Sequence, residues 1–376
     1  MKFKILTNFQ KNYRFYKDNE SLWNVKQDPI LTENNNKFHY WKFMDIDFTS
    51  EINENERYIF PIWWNPKGYE YFPNTVLQEL IQYVKENKSY FDRNILIPVF
   101  FDTLEGIPGV ADYIETFINE FNNTIPTFFV SADYKLKTRD NLFKFYYLDN
   151  WLHHLFPDFI ESQSIEKLYI NLNRVSRLHR CELMHSIIDN DLFSYGYNTW
   201  GNMPHSLDMF LENNPDSQIL NQKYDILDVE DIIAANPTNM IPTEFCKKTF
   251  MYLVTETDFN SNALFVSEKT YKPISIGMPF MILGAPGILD FLQNKGYITF
   301  SRWIDENYDQ DIDVKDRVQI IINNLNYLKN LSREKLMKMF YEMRPICKHN
   351  FEVYKMHQRK NSFLEIVDNI KQYRRY

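Results

Sequence analysis

The chain reads as an α/β protein of two Rossmann-like domains with parallel sheets, followed by a helical tail. Three observations predict this. Short apolar runs alternate with stretches of helical spacing. The alternation stops in a polar middle and then restarts. The length, 376 residues, exceeds what one hydrophobic core ordinarily organises.

The elements follow in chain order. Phe3–Leu6 alternates as a first strand, and residues 58–63 form a second apolar run that stops at Asn65-Pro66. Val76, Leu77, Leu80, Ile81 and Val84 recur at helical spacing. Residues 95–101 read as a buried strand, followed by a polar turn holding Gly106, Pro108 and Gly109 and by a helix over 111–121. Residues 127–130 and 143–147 read as two more strands. A boundary is expected near residue 160. The second domain opens on a strand at 167–170 and a helix at 179–188. Residues 195–243 are rich in Asn, Asp and Pro and read as loops and short helices. Strands are then expected at 250–254, 280–283 and 297–300, with a helix at 289–294. Helices over 318–328 and 333–344 close the second domain at 345, and residues 346–376 are expected to form a C-terminal helix crossing back over the first domain.

Composition narrows the function classes. Apolar residues make up 44% and charged residues 24%, an ordinary globular balance. Aromatic content is high, with 31 Phe and 25 Tyr, which fills cores and also offers flat faces to sugar rings. The net charge of −8 does not suit general coating of nucleic acid. Residues 346–376 differ, with seven Lys/Arg against three Asp/Glu, and offer a local basic patch to a phosphate-bearing partner. Three cysteines without a C-x-x-C pair argue against a disulfide framework or a zinc site. The start lacks the apolar run of a signal peptide, and no 18 residues in a row are apolar, so a soluble cytoplasmic protein is expected.

Glycine is scarce and therefore informative. Four of the nine glycines, Gly277, Gly284, Gly287 and Gly296, fall within 20 residues. Gly284-Ala285-Pro286-Gly287 follows a strand, at the carboxyl edge where open α/β sheets bind ligands. Neither a G-x-G-x-x-G fingerprint nor a P-loop is present. Just upstream, Ser267 can cap a helix opening at Glu268 and Lys269, with Glu256 at the end of the preceding strand. A helix start suits a diphosphate, a lysine adds a point charge for it, and a carboxylate accepts two sugar hydroxyls. An ordinary capped helix with a surface Glu/Lys pair explains the same residues.

Val266-Ser267-Glu268-Lys269, followed by Gly277-Met278-Pro279-Phe280 and Gly284, resembles the donor-binding region of the α-1,3-fucosyltransferase family. It is most similar to phage and bacterial relatives that carry T-E-K-T-x-K-P, a following G-x-P-F and a G-x-P-G. The likeness is specific over residues 250–300 and fades elsewhere, and Ser267 stands where the family has Thr. The resemblance implies a GT-B fold, a nucleoside-diphosphate sugar as donor, and roles by position: Glu268 on donor hydroxyls and Lys269 on the diphosphate. It also implies an arginine that stabilises the leaving diphosphate, which falls on Arg180 or Arg177 in the run 171–180. The remaining donor-site candidates are Glu256, Ser267 and Gly284.

An inverting transfer needs a carboxylate to deprotonate the acceptor. Glu105 is the first choice and Asp102 the second, because both follow an apolar strand. Trp63 and Trp64, also at a strand end, are candidates for stacking on an acceptor ring. The acceptor classes left open are a glycan and a modified, hydroxymethylated DNA base; a non-catalytic nucleotide- or carbohydrate-binding protein of the same fold is the third reading. His153 and His154 are neighbours that point apart and make a poor metal pair. Asp45-Ile46-Asp47 and Asp311-Ile312-Asp313 mimic a D-x-D metal motif, but GT-B enzymes commonly neutralise the diphosphate with cations and helix dipoles, so no metal is expected to be required. Residues 305–309 read as a solvated loop first and as part of the donor-pocket lining second.

Overall fold

Two parallel sheets organise the chain, and each belongs to a separate compact unit: Met1–Asn150 with Asn361–Tyr376, and Trp151–Lys360. The structure is a computed structural model that describes residues 3–6, 47–49, 52–64, 74–102, 110–121, 125–131, 142–146, 158–161, 164–204, 206–225, 241–257, 259 and 264–359.

Among the described residues, the first unit contains six strands: β1 (Phe3–Leu6), β2 (Asp47–Thr49), β3 (Arg57–Trp64), β4 (Leu96–Asp102), β5 (Thr127–Ser131) and β6 (Leu142–Tyr146). They lie in the order β2-β1-β3-β4-β5-β6, every neighbouring pair parallel. Parallel neighbours need a crossover. Helices α1 (Asn74–Glu86) and α2 (Lys88–Asp92) supply it between β3 and β4, and α3 (Val110–Glu120) supplies it between β4 and β5. Ile81 and Val84 of α1 and Phe117 and Ile118 of α3 are buried, as are Leu96 and Ile97 of β4 and Phe128 of β5. Helical spacing in α1 and α3 thus puts an apolar stripe into this core.

The second unit holds β7 (Lys167–Ser176), β8 (Gly196–Pro204), β9 (Thr249–Thr255) and β10 (Phe280–Leu283), in the order β10-β9-β7-β8 and parallel throughout. All residues of β9 and β10 are buried, which is why both read as unbroken apolar runs rather than alternating ones. The helices are α4 (Leu178–Asp189), α5 (Leu207–Asn213), α6 (Thr243–Cys246), α7 (Glu268–Ser275), α8 (Ile288–Asn294), α9 (Val314–Lys329) and α10 (Arg333–Arg359). Val318, Ile321, Ile322, Leu325 and Leu328 form the buried stripe of α9, and Phe340, Met343, Cys347, Phe351 and Tyr354 that of α10.

Four expectations are corrected here. The polar middle contains a strand, β8, which its composition concealed; its register on β7 runs from Tyr169–Gly196 to Ser176–Pro204. The first strand of this unit extends through Ser176, so Asn171–Ser176 lie in β7 and not in a loop after it. Residues 297–300 are not a strand. Their main chain is satisfied by side chains instead: Asn350 accepts from Ile298 N at 2.8 Å and donates to Ile298 O at 2.8 Å, and Glu306 accepts from Phe300 N at 2.6 Å. The chain from 333 to 359 is one helix, so a boundary at 345 falls inside an element, and 361–376 lie outside the described residues.

The stretch entering the second unit is pinned to the end of α7. Asp158 N and Ile160 N donate to Ser275 O and Ile276 O at 3.1 and 3.0 Å. Arg344 donates to Gly277 O at 3.1 Å and to Ile160 O at 2.7 Å, with its guanidinium 4.3 Å above the Phe159 ring. Gly277 has φ +70 and lies against that ring, so a side chain here would be both strained and obstructed.

Candidate functional site

Chain order reverses beside β7. The chain passes from β7 to β8 on one flank and returns to β9 and β10 on the other. The crevice outside the carboxyl ends of β7 and β9 is therefore the topological switch point of this sheet, the ordinary ligand position in open α/β sheets.

Arg180 sits in the first turn of α4, 3% exposed, and reaches across this edge. Its Nη1 donates to Val175 O at 3.0 Å, and its Nη2 donates to Thr255 O at 3.1 Å and Glu256 O at 2.9 Å. Its neighbour His179 meets the same Glu256 carbonyl through Nε2 at 2.8 Å. Burial and the adjacent Arg180 hold the imidazole pKa well below its usual value. The ring is thus neutral, and because its partner is a carbonyl, Nε2 carries the proton. The guanidinium and the imidazole together staple the end of β7 to the end of β9. The clamping role expected of Arg180 thus falls on a buried group whose Nη1 and Nη2 are turned to main-chain carbonyls. Arg177, the other candidate, is the N-cap residue of α4 and is half-buried; Arg174 is exposed.

Glu256 is the hub of the edge and is fully buried. Its N–H continues the sheet ladder to Leu283 O at 2.8 Å. Its carboxylate then accepts from Ser267 N at 3.0 Å, Ser267 Oγ at 2.6 Å, Thr270 N at 3.2 Å, Thr270 Oγ1 at 2.6 Å and Thr257 N at 3.1 Å. Five donors exhaust a carboxylate, so Glu256 is not left to bind donor hydroxyls. It caps α7 from outside the helix and neutralises the positive end of that helix. The helix start expected to receive a diphosphate is therefore occupied by a protein carboxylate.

Glu268 and Lys269 open α7, with Ser267 as N-cap accepting from Lys269 N at 3.3 Å. Lys269 Nζ bonds Glu268 Oε1 at 2.8 Å and Ser267 Oγ at 3.2 Å, while its side chain stays 28% exposed. Glu268 is buried. Burial raises the pKa of its carboxyl, but Lys269 and Lys272 outweigh that and hold it below the usual value. Lys272 pays the converse: burial lowers its pKa to about 8 although Glu268 pulls it up.

Gly284 follows β10 and lies beside Glu256. A Cβ there would lie 2.5 Å from Ile288 Cδ1 and 2.9 Å from Glu256 Cβ, so glycine is required by packing at this point. A second carboxylate works beside it. Asp309 Oδ2 accepts from Leu289 N at 2.8 Å and caps α8, and burial raises its pKa to about 7 against the opposing pull of that N–H and of Arg317. Arg317, 1% exposed, donates through Nε to Tyr308 O at 2.5 Å. The solvated-loop reading of 305–309 thus fails at Tyr308 and Asp309, which are buried. Sequence reasoning passed over His179, Thr270 and Arg317. Their signal is their place in the first turns of helices, which spacing alone does not separate from ordinary helix starts.

In the first unit, Trp63 and Trp64 end β3 and Asp102 ends β4, and the register sets Trp63 beside Phe101 and Trp64 beside Asp102. The structure therefore brings the two tryptophans and Asp102 to one carboxyl edge. Glu105 lies outside the described residues. His153, His154 and Asp45 also lie outside them. Asp313 caps α9, accepting from Lys315 N at 2.8 Å.

No protein-family model matches the chain, and no curated protein matches it by sequence. Among solved structures, the chain is similar to T4 phage BGT in complex with UDP and Mn2+, at 12% identity and a TM-score of 0.40, over 99% of this chain and 100% of that one. The expectation that no metal is required is corrected by this finding, since that neighbour carries Mn2+ together with UDP. Among the described residues, no group of three or more His, Cys, Asp or Glu side chains is placed to hold a metal ion. Among the same residues, no helix is long and apolar enough to cross a membrane.

Proposed function

We propose that this protein is a glycosyltransferase of the GT-B type that transfers a sugar from a nucleoside diphosphate, with the donor held by the second unit and the acceptor by the first. The observation that carries the reading is the Glu268–Lys269 pair at the start of α7. Its carboxylate is buried and held ionised by two lysines, and its ammonium is partly exposed. Lys269 uses two of its three N–H donors on Glu268 and Ser267, leaving one for a phosphate oxygen. Glu268 accepts donor hydroxyls, and Arg177, half-buried at the N-cap of α4, is a second cation for the diphosphate. The α-1,3-fucosyltransferase resemblance over 250–300 supports the same two roles.

The acceptor hydroxyl belongs to a glycan or to a hydroxymethylated DNA base, with Trp63 and Trp64 as stacking faces and Glu105 or Asp102 as the base. The basic stretch 346–376 favours an anionic acceptor. Calorimetry with GDP, UDP, CDP and ADP, each with and without Mn2+, tests the donor half. One nucleotide should bind, and Lys269→Ala should weaken it by about tenfold or more with the fold unchanged, the worth of a charge-assisted hydrogen bond. No binding by the wild type, or unchanged affinity in Lys269→Ala, would remove the pair from the donor site. Transfer assays on glycans and on hydroxymethylated DNA, with Glu105→Gln and Asp102→Asn, then decide the acceptor and the base.

A further inference from the structure

We infer that Glu256 is a positioning residue of the donor site: its buried carboxylate, anchored from behind by Arg180 and His179, sets the first turn of α7 and thereby the place and direction of Glu268 and Lys269. The inference rests on the donor reading for its functional consequence, but its structural half stands by itself.

The chain of contacts is continuous. Arg180 and His179 fix the Glu256 carbonyl at the switch point, and the Glu256 N–H is bound to Leu283 O of β10. The main chain of this residue is thus held by two strands and a helix before its side chain acts. The carboxylate then takes the amide and hydroxyl of Ser267 and the amide and hydroxyl of Thr270, which bracket Glu268 and Lys269 in sequence. Both oxygens are used, Oε1 by Ser267 N, Thr270 N and Thr270 Oγ1, and Oε2 by Ser267 Oγ and Thr257 N. Ser267 Oγ passes the constraint on, since it donates to Glu256 and accepts from Lys269 Nζ. Gly284 completes the arrangement, because its bare Cα lets the Glu256 side chain lie against the turn after β10.

Two consequences distinguish this from an ordinary capped helix. A carboxylate that served only stability could be supplied by the N-cap residue itself, whereas this one reaches from the end of β9, 11 residues upstream of Ser267. A helix end filled by a protein carboxylate also repels a second anion at its amides. The diphosphate is left to side-chain cations, and their placement depends on the carboxylate that holds the turn.

Hydrogen exchange on the full chain tests the inference without needing a ligand. In Thr270→Val, which loses the Oγ1 donor, and in Glu256→Gln, which sets an amide NH2 among donors, the amides over 267–270 should exchange about 10- to 100-fold faster. The amides of β7 should stay as in wild type. Thr270→Ser, which keeps the hydroxyl, should recover most of the loss. For the nucleotide that binds wild type, Kd should rise about tenfold in Thr270→Val and return towards wild type in Thr270→Ser. Unchanged exchange over 267–270 in Thr270→Val overturns the inference even if Glu256→Gln does not fold. Acceleration spread evenly over the unit, with no local excess, also overturns it, because the role is then global stability. If wild type binds none of the four nucleotides, the donor reading fails, and the exchange result still decides whether Glu256 sets the helix.

Discussion

Replacing Arg180 by methionine separates a structural staple from a ligand clamp. The guanidinium is 3% exposed and donates to three carbonyls, Val175 O, Thr255 O and Glu256 O, at 3.0, 3.1 and 2.9 Å. Methionine keeps an unbranched apolar stem and removes every donor. Glu256 O retains His179 Nε2 and Val175 O retains the Arg177 N–H at 3.0 Å, so the loss falls mainly on Thr255 O. A buried acceptor left without its hydrogen bond costs about 1–3 kcal/mol, the other two carbonyls each lose one of two donors, and relief from burying a cation offsets part of the sum, so we expect a net loss of about 2 kcal/mol. For a unit of this size, about 2–4 °C accompanies each kcal/mol, which places the loss at about 4–8 °C of melting temperature. Scanning calorimetry on the full chain reads it, and Arg180→Lys, with the charge but without the fork, should fall between the two. Nucleotide affinity is measured in parallel, well below the transition. A methionine variant that melts like wild type while losing nucleotide binding would refute the reasoning, because the guanidinium would then serve a ligand and not the sheet.

Asp309 should make stability depend on acidity in the unusual direction for a carboxylate. Its folded pKa is raised from 3.8 to about 7, so the folded protein holds its proton where the unfolded chain has lost it. Its contribution is complete below pH 3.8 and is lost as pH rises to about 7, and Asp309→Asn should flatten urea-denaturation stabilities over that window. Gly284→Ala should cost about 1–3 kcal/mol through its clash with Ile288 and Glu256, and adding Ile288→Val should recover only part, because the Glu256 Cβ remains; chemical denaturation of the single and double variants checks both. Arg344→Ala removes the donors to Gly277 O and Ile160 O and the cation above Phe159, and should destabilise the protein by about 2 kcal/mol, visible as faster exchange of the Ile160 amide.

Much of the architecture was legible because it is local. Alternation of apolar runs with helical spacing located β3, β4, β5, β9 and β10 and helices α1, α3, α4, α8 and α9, since burial on both faces of a parallel strand and on one face of a helix dictates those patterns. Ser267 as the cap of a helix opening at Glu268 followed from residue type alone. Gly284 was also legible as a special position, though packing against Glu256 gives its reason. β8 was hidden because Gly196-Tyr197-Asn198-Thr199 has the composition of a loop, and its strand conformation comes from pairing with β7.

What the sequence could not decide is which polar groups face one another. Glu256 lies 11 positions before Ser267, and no spacing rule joins a strand-end carboxylate to a helix start across a loop of that length. Arg180 and Thr255 are 75 residues apart, and their contact exists only because the sheet order returns β9 to the side of β7. Residue type and a strand-to-helix junction therefore placed Arg180, Glu256, Glu268 and Lys269 at one edge. Tertiary structure turned Arg180 to main-chain carbonyls and Glu256 to the start of α7, and paired Glu268 with Lys269. The physical reason is competition for partners: a buried ion takes the nearest unsatisfied carbonyl or amide, and only the fold determines which those are.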